Sequence, residues 1–435
     1  MKLQSLFSVL LAALLTASAP GQQADTKPLD SFERSRLHDM LHQTVREVKA
    51  NYYDPKFHGV DVDGNYRKYD ALLDKVNTQG EGFRVISGFL SDFHDSHLFF
   101  LPPARPYRYD NGYRAQIIGD NEFITQVRPG SDAITKVAPG DRIVHFNGYL
   151  VNRASEHSMM AYYTYLAPAP AVQLDLSSPE GKSSKVVVQS KLVPRKKTVD
   201  LTSDDVDQLI RDDEGDAHRE HDRLYEMDDV MIWKMSEFGE NQVDKIMKRA
   251  DHHKALILDL RGNPGGSIET LREVLGKFFD HDVKVFDEVT RKQTKPILAK
   301  STGDHAFKGK VIVLVDSHSA SCSELAARVL QLEHRATILG DLSAGAVMES
   351  QEFQEQVGGD IMIFYGLSIT HANAIMSDGK SLEKVGVMPD ERLLPTPDDL
   401  HAGKDPVLAR AIELAGGHMD AAAAGKLFPY EWPAF

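Results

Sequence analysis

The spacing of apolar positions changes character several times along the chain, and each change marks a different kind of element. Leu37, Leu41, Val45, Val48 and Tyr52 recur at helical intervals. Asp30 with Glu33 makes a capping box ahead of them, and Asp54-Pro55 stops the run. Two further helical patterns, residues 69–76 and 83–93, complete a small bundle that ends in His94-Asp-Ser-His-Leu-Phe-Phe-Leu-Pro-Pro103. From residue 105 the period falls to two, with short strands predicted at 123–127, 143–148, 172–176 and 186–188. Residues 199–229 are dominated by Asp, Glu, Arg and His and read as a solvated linker or surface excursion.

A last pattern opens at Val230-Met-Ile-Trp-Lys, followed by an amphipathic helix carrying Val243, Ile246, Met247 and Ala250. Residues 255–266, ALILDLRGNPGG, are a buried-strand run ending in a turn that permits positive φ and close backbone approach. Ile268, Leu271, Val274, Leu275 and Phe278 then repeat at helical spacing. Residues 310–350 repeat the unit: the strand run Val311-Ile-Val-Leu-Val315, a cluster of small residues, and a helix with Leu325, Val329 and Leu332 on one face. Two strand-turn-helix units place two loops at the same edge of a sheet, where α/β proteins bind ligands.

A small hydroxyl at such a turn is exposed beyond the sheet and lies near the positive end of a helix, which suits a nucleophile. Ser317, Ser319, Ser321 and Ser323 are also what an ordinary helix cap provides. The residues alone leave both readings open. Bare glycine amides in the first loop can face a hydroxyl in the second and serve as an oxyanion hole.

Taken together, the run LILDLRGNPGG, the following SASCSE and the turn GDLSAG at residues 340–345 resemble the C-terminal processing (tail-specific) proteases and the related tricorn core protease. The resemblance covers nearly the whole chain after residue 30. It implies an α/β (α+β multidomain) protein: a helical domain over 25–104, a β domain over 105–198, the acidic insert at 199–229, and a ClpP/crotonase-like α/β protease core over 230–435. Residues 138–148, APGDRIVHFNG, resemble a PDZ domain, whose groove binds an extended peptide by strand addition. Residues 113–119 are the stretch assigned to its carboxylate-binding loop.

By the same resemblance Ser321 is the nucleophile of a serine endopeptidase acting on peptide or protein substrates through an acyl-enzyme. In the processing proteases the base is a lysine of a later turn, and that position here is Ala346, which cannot accept a proton. The tricorn-type arrangement is available instead. Asp95-Ser-His97 matches its Ser-His pair, and the segment 383–390, EKVGVMPD, carries the acidic position at Glu383. His97 is then the general base, oriented by Glu383 through Ser96. Amides of Gly265 or Gly266 together with Cys322 form the oxyanion hole. Lys380 and Lys384 are alternative amine bases, and His94 and His318 are competing imidazoles. A cysteine nucleophile at Cys322 is the weaker reading. The competing function is a catalytically silent peptide-binding scaffold of the same fold, motivated by the missing lysine.

Composition changes this picture only at its edges. Forty-two per cent hydrophobic and 26% charged residues over 435 positions suit two or three domains with real cores, and a formal charge of −14 argues against nucleic acid or an anionic membrane as main partner. A single cysteine excludes an internal disulfide. Lys2, the apolar run 6–15 and Ala17-Ser-Ala19 read as an export signal over 1–24, too short to span a bilayer. Export to a periplasm or the extracellular medium follows. No cofactor or metal is required by this chemistry. A metal site using His218 or His221 is the weaker reading of the acidic insert, because no ligand spacing stands out. The oligomeric state stays open.

Overall fold

The fold was analysed in a computed structural model. It describes residues 28–194, 222–239, 242–359 and 362–433. The expected export signal and the histidines of the acidic insert therefore lie outside the described residues.

The front of the chain folds as three helices, Ser31–Asn51, Val62–Leu73 and Gln79–Ser91. The first begins where the sequence places it, with the Asp30 carboxylate accepting from the Phe32 and Glu33 amides while Glu33 reaches back to the Asp30 amide. Leu37, Leu41, Val45, Val48 and Tyr52 are all buried. Part of what they pack against comes from far along the chain: Val357, Tyr365, Leu367 and Ile369 complete the same cluster. The helices thus share a core with the rear of the molecule. The reason is a short strand, Phe99–Leu101, that pairs antiparallel with Ile363–Ile375, Phe99 opposite Ser368 and Leu101 opposite Gly366.

The middle segment has a separate core built from Ile124, Ile143, Phe146, Val172, Leu174, Leu176 and Val188. Its sheet runs in the order Tyr113–Ile118, Asn121–Val127, Arg142–Phe146, Ala171–Ser177, Ser183–Gln189. Two elements depart from the sequence reading. Tyr113–Ile118, assigned to a carboxylate-binding loop, is a strand at the end of this sheet. A helical turn, Glu156–Ala161, continued by Tyr162–Leu166, packs Met159 and Tyr163 on the sheet, and no helical period announces it in so short a run.

The rear unit holds a six-stranded sheet ordered Arg223–Met227, Val230–Lys234, Ala255–Asp259, Lys310–Val315, Thr337–Gly340, Glu391–Arg392. The first pair is antiparallel and the rest are parallel, with helices Val243–Ala250, Ile268–Gly276 and Cys322–Leu332 on one face and Pro406–Leu414 on the other. Its central strands are buried throughout apart from Lys310 at the start of one, as parallel strands covered on both faces are. The edge strand Arg223–Met227 falls inside the stretch read as acidic linker. The core therefore begins earlier than residue 230, and the strand was illegible because an edge strand alternates polar residues outward.

The strand Phe99–Leu101 ties the helical unit to a second, five-stranded sheet, which it forms with Ile363–Ile375, Val283–Thr290, Thr294–Ala299 and Glu349–Val357, and Phe100 is buried there. Phe100→Ala is expected to cost about 3–5 kcal/mol of unfolding free energy, read by urea denaturation. A cost below about 1 kcal/mol would mean that the front helices are not held by this core.

Candidate active site

Ser321 sits between the strand Lys310–Val315 and the helix Cys322–Leu332 with φ 53° and ψ −119°. A residue other than glycine at positive φ costs on the order of 1–3 kcal/mol and persists only where its surroundings fix it. Glu324 supplies that fixing. Buried one turn into the helix, its carboxylate accepts from the Ser321 amide at 3.2 Å, the Ser343 hydroxyl at 2.6 Å, and the Gly345 and Ala346 amides at 2.7 and 2.8 Å. Burial pushes this carboxyl up to about 7, against the pull of those four donors. The Ser321 amide also donates to the Ala346 carbonyl at 2.8 Å. Ala346 thus lies directly beside the nucleophile position, with a methyl group and no amine to offer.

The first loop is held just as closely. Asp259, buried at its strand end, binds Arg261, which in turn clamps Asp405 at the start of a C-terminal helix. The charges of Arg261 and Lys234 hold the Asp259 carboxyl well below the usual range despite its burial. Asn263 accepts from the Gly265 amide at 2.9 Å and donates to the Met235 carbonyl, while its own carbonyl receives the Ser323 hydroxyl and the Ala320 amide. Gly265 has φ 107°, and a Cβ there would stand 2.6 Å from the Ser321 Cβ and 3.0 Å from the Cys322 nitrogen. Only glycine permits that approach.

The Gly265 amide is spent on the Asn263 carboxamide. The Cys322 thiol is buried, donates to the Gly266 carbonyl at 3.1 Å, and is pushed up to about 12 by burial above all. It is protonated at neutral pH and packs, which argues against a thiolate nucleophile.

The second half of the site comes from the front of the chain. Ser96 donates its hydroxyl to Glu383 Oε2 at 2.8 Å and its amide to Glu383 Oε1 at 3.0 Å, and its oxygen lies 2.7 Å from His97 Nδ1. Glu383 also receives the Val347 amide at 3.2 Å, next to Ala346. Ser96, His97 and Glu383 therefore share one hydrogen-bonded chain. Ser321 is connected to it through the backbone of Ala346 and Val347, and among the described residues no hydrogen bond joins His97 directly to Ser321. Asp95 holds the loop from behind, accepting from the His97 amide, the Tyr52 hydroxyl and the Thr370 hydroxyl.

Burial pushes the His97 imidazole down to about 4; Asp95 opposes this, and the nearby charges of His157 and Lys384 add to it. The imidazole is thus neutral and able to accept a proton at neutral pH. The alternative bases are placed otherwise. Lys384 is half-exposed with its ammonium 3.7 Å from Glu383, Lys380 and His94 are exposed, and His318 precedes the nucleophile turn with its amide on Asp316.

Residues 229–393 match the model of peptidase family S41, and residues 36–91 match that of the tricorn protease C1 domain. A carboxyl-terminal-processing protease of Synechocystis sp. is 30% identical over 135 residues, covering 31% of this chain and 30% of that one. Carboxyl-terminal-processing peptidase 2 of Arabidopsis thaliana is 23% identical over 432 residues, covering 92% and 78%. The matched family model and both of these relatives are described as peptidases. The chain spans only about a third of the length of the Synechocystis protein. Among solved structures, mature CPAF superposes with a TM-score of 0.65 at 15% identity, covering 85% of this chain and 95% of that one. The photosystem II D1 C-terminal processing protease follows at 0.52 and 18%, covering 92% and 100%. At such identities these structures speak for the fold.

Three contributors escaped the sequence reading. Glu324 was visible only as part of a motif, Asn263 only as a turn residue, and His157 reaches the neighbourhood of His97 and His318 from the middle unit. The motif glutamate three residues after a serine was the available signal for the first, since it has the spacing of a capping box. None marked the third.

Glu324→Ala leaves the buried Ser343 hydroxyl and Gly345 amide without an acceptor, each a loss of about 1–3 kcal/mol. The variant is expected to unfold at least about 2 kcal/mol more easily in urea. Stability equal to the parent would show that the carboxylate does not hold this turn.

Proposed function

We propose that this chain is an exported serine endopeptidase that cleaves peptide bonds through an acyl-enzyme, with a Ser-His-Glu site in place of a serine-lysine dyad. The observation that carries this reading is the Ser96 hydroxyl set between the Glu383 carboxylate and His97 Nδ1. In that chain Ser96 passes its proton toward Glu383 and accepts from the imidazole, which fixes the tautomer so that Nε2 is the free base. With substrate bound, His97 takes the Ser321 proton as the oxygen attacks the carbonyl, and returns it to the leaving amine. The Gly266 and Cys322 amides receive the oxyanion; one such donor is worth about 3 kcal/mol of barrier. Water then releases the acyl group by the same base.

The middle unit fits a PDZ-like role in this scheme. A cavity of about 290 Å³ opens between the strand Tyr113–Ile118 and the helical turn, lined by Tyr113, Phe146, Met160 and Tyr163 with Arg114 and Arg128 at its side. An extended peptide added along that strand would lay an apolar side chain there. The same strand touches the nucleophile turn, since Ser317 donates to the Ile117 carbonyl and Gln116 to Asp316. Export rests on the signal pattern of residues 1–24.

Labelling the purified chain with a fluorophosphonate tests the assignment. The parent is expected to label, and Ser321→Ala and His97→Ala to lose the label; a parent that stays unlabelled beside an active control leaves only the peptide-binding scaffold. Ser96→Ala is expected to keep the label but lower kcat by about 10²-fold or more, because the imidazole loses its orientation.

The pH profile gives an independent check. A base must be unprotonated, and the His97 value lies below that of a free imidazole, so activity is lost only as pH falls through this lowered value. The acid limb of kcat/KM is therefore expected well below pH 6.5. A limb at or above that pH would point to a different or solvated base.

A further inference from the structure

A second cluster of chemistry-bearing side chains lies on the rear face of the molecule, where three strands meet. Ile363–Ile375 is flanked by Val283–Thr290 on one side and Glu349–Val357 on the other. Glu288 pairs with Ala374 and Glu349 with Ala372, so both carboxylates belong to the same face. Strict alternation would send His371 to the opposite face. The register shifts between Glu349 and Ser350, whose partners are Ala372 and Thr370, and His371 is the extra residue left between them. A bulge of this kind re-aims a side chain. As a result, one polar atom from each of Glu288, Glu349 and His371 lies within 4.8 Å of the others.

Among the described residues this group is only partly satisfied. Glu349 Oε1 and His371 Nδ1 are both buried without a hydrogen-bond partner, and Glu349 Oε2 stands 3.9 Å from His371 Nε2. Among the described residues neither carboxylate is ion-paired with a lysine or arginine. Burial, with Glu288 adding to it, pushes the Glu349 carboxyl up to about 7, and burial lowers the His371 imidazole. Two acids facing each other with orphaned polar atoms are costly unless a cation sits between them.

We propose that Glu288, Glu349 and His371 form a binding site for a divalent transition-metal ion of the zinc class, distinct from the Ser321 machinery. One imidazole nitrogen and two carboxylate oxygens are a donor set suited to zinc, with the fourth position open to water, whereas calcium and magnesium take oxygen donors. Ligand atoms around tetrahedral zinc at about 2.0–2.1 Å stand roughly 3.4 Å apart. The three atoms, now within 4.8 Å of one another, would have to close by up to about 1.4 Å to take that spacing. The ion would pin the bulge that begins three residues after Ala346. Glu349 also acts electrostatically on buried Cys322, so the bound charge would be felt at the start of the nucleophile helix.

The test uses the full chain, stripped with a chelator and dialysed, then titrated with zinc chloride by calorimetry and followed by thermal unfolding. One saturable site and a rise in Tm are expected. Glu349→Gln and His371→Ala should each weaken that site by about 10²-fold or more, and His97→Ala should leave it unchanged. Glu349→Gln removes a charge from a repelling pair, so its metal-free form should melt at or above the parent while losing the zinc-dependent rise. This readout separates ligand loss from misfolding. Cobalt substituted for zinc should show the visible absorption of a low-coordinate site in the parent and not in His371→Ala. The proposal is overturned if no saturable site is found, or if binding and the Tm rise persist in both variants.

Discussion

The hydrogen bonds between Glu383 and Ser96 span 287 residues of sequence, and the geometry of the whole site depends on them. They are made possible by one short β-pairing, Phe99–Leu101 against Ile363–Ile375, which brings the end of the helical unit onto the five-stranded sheet. Ser368 reinforces the pairing by donating to the His97 carbonyl, and Thr370 by donating to Asp95. Ser96 and Asp95 touch His97 from within its own unit, whereas the contacts of Glu383, Ser368 and Thr370 that hold this loop cross between the two units. A helical unit folded alone would carry His97 and Ser96 but not the Glu383 carboxylate that Ser96 donates to.

The nucleophile turn obeys a different logic, because it is built locally and held by backbone. Ser321 adopts a conformation that costs free energy, and the surrounding loops recover it through buried acceptors. Glu324 collects the 343–346 loop, Asn263 collects the 263–265 loop, and Ser343 returns the favour by accepting the Val387 amide. Such a net fixes positions within tenths of an ångström but leaves little room for an added side chain. Gly265 against Ser321 is the clearest instance, since even a methyl group would overlap.

How much of this was legible in the residues follows from the range of each interaction. The strand-turn-helix units were readable because their periods are local, and Asp30 with Glu33 because a capping box is written in four residues. The pairing of Ser96 with Glu383 was reachable only through a resemblance, since nothing in the spacing of distant residues states that they touch. The strand Arg223–Met227 was hidden in a polar stretch, and Tyr113–Ile118 was mistaken for a loop because its polar and apolar residues do not alternate cleanly. His157 is invisible for a third reason: it belongs to a six-residue helix whose period is too short to register and whose position is set by another unit's core.

The proposed exchange of an amine for an imidazole changes what the fold must supply. A lysine in the turn beside Ser321 would need only local burial to lower its affinity for the proton. An imidazole arriving from another unit begins nearer the working pH, but must be held by partners on both of its sides. In the proposed reading Ala346 is more than a loss: its carbonyl accepts the Ser321 amide and Val347 donates to Glu383, so this turn presents backbone to both halves of the site. The backbone runs on from Ala346 and Val347 into the strand Glu349–Val357 opposite the bulge at His371, so in the proposed reading one stretch serves Ser321, Glu383 and the second cluster in turn. Alterations to that stretch should be felt at all three places, because no flexible linker separates them.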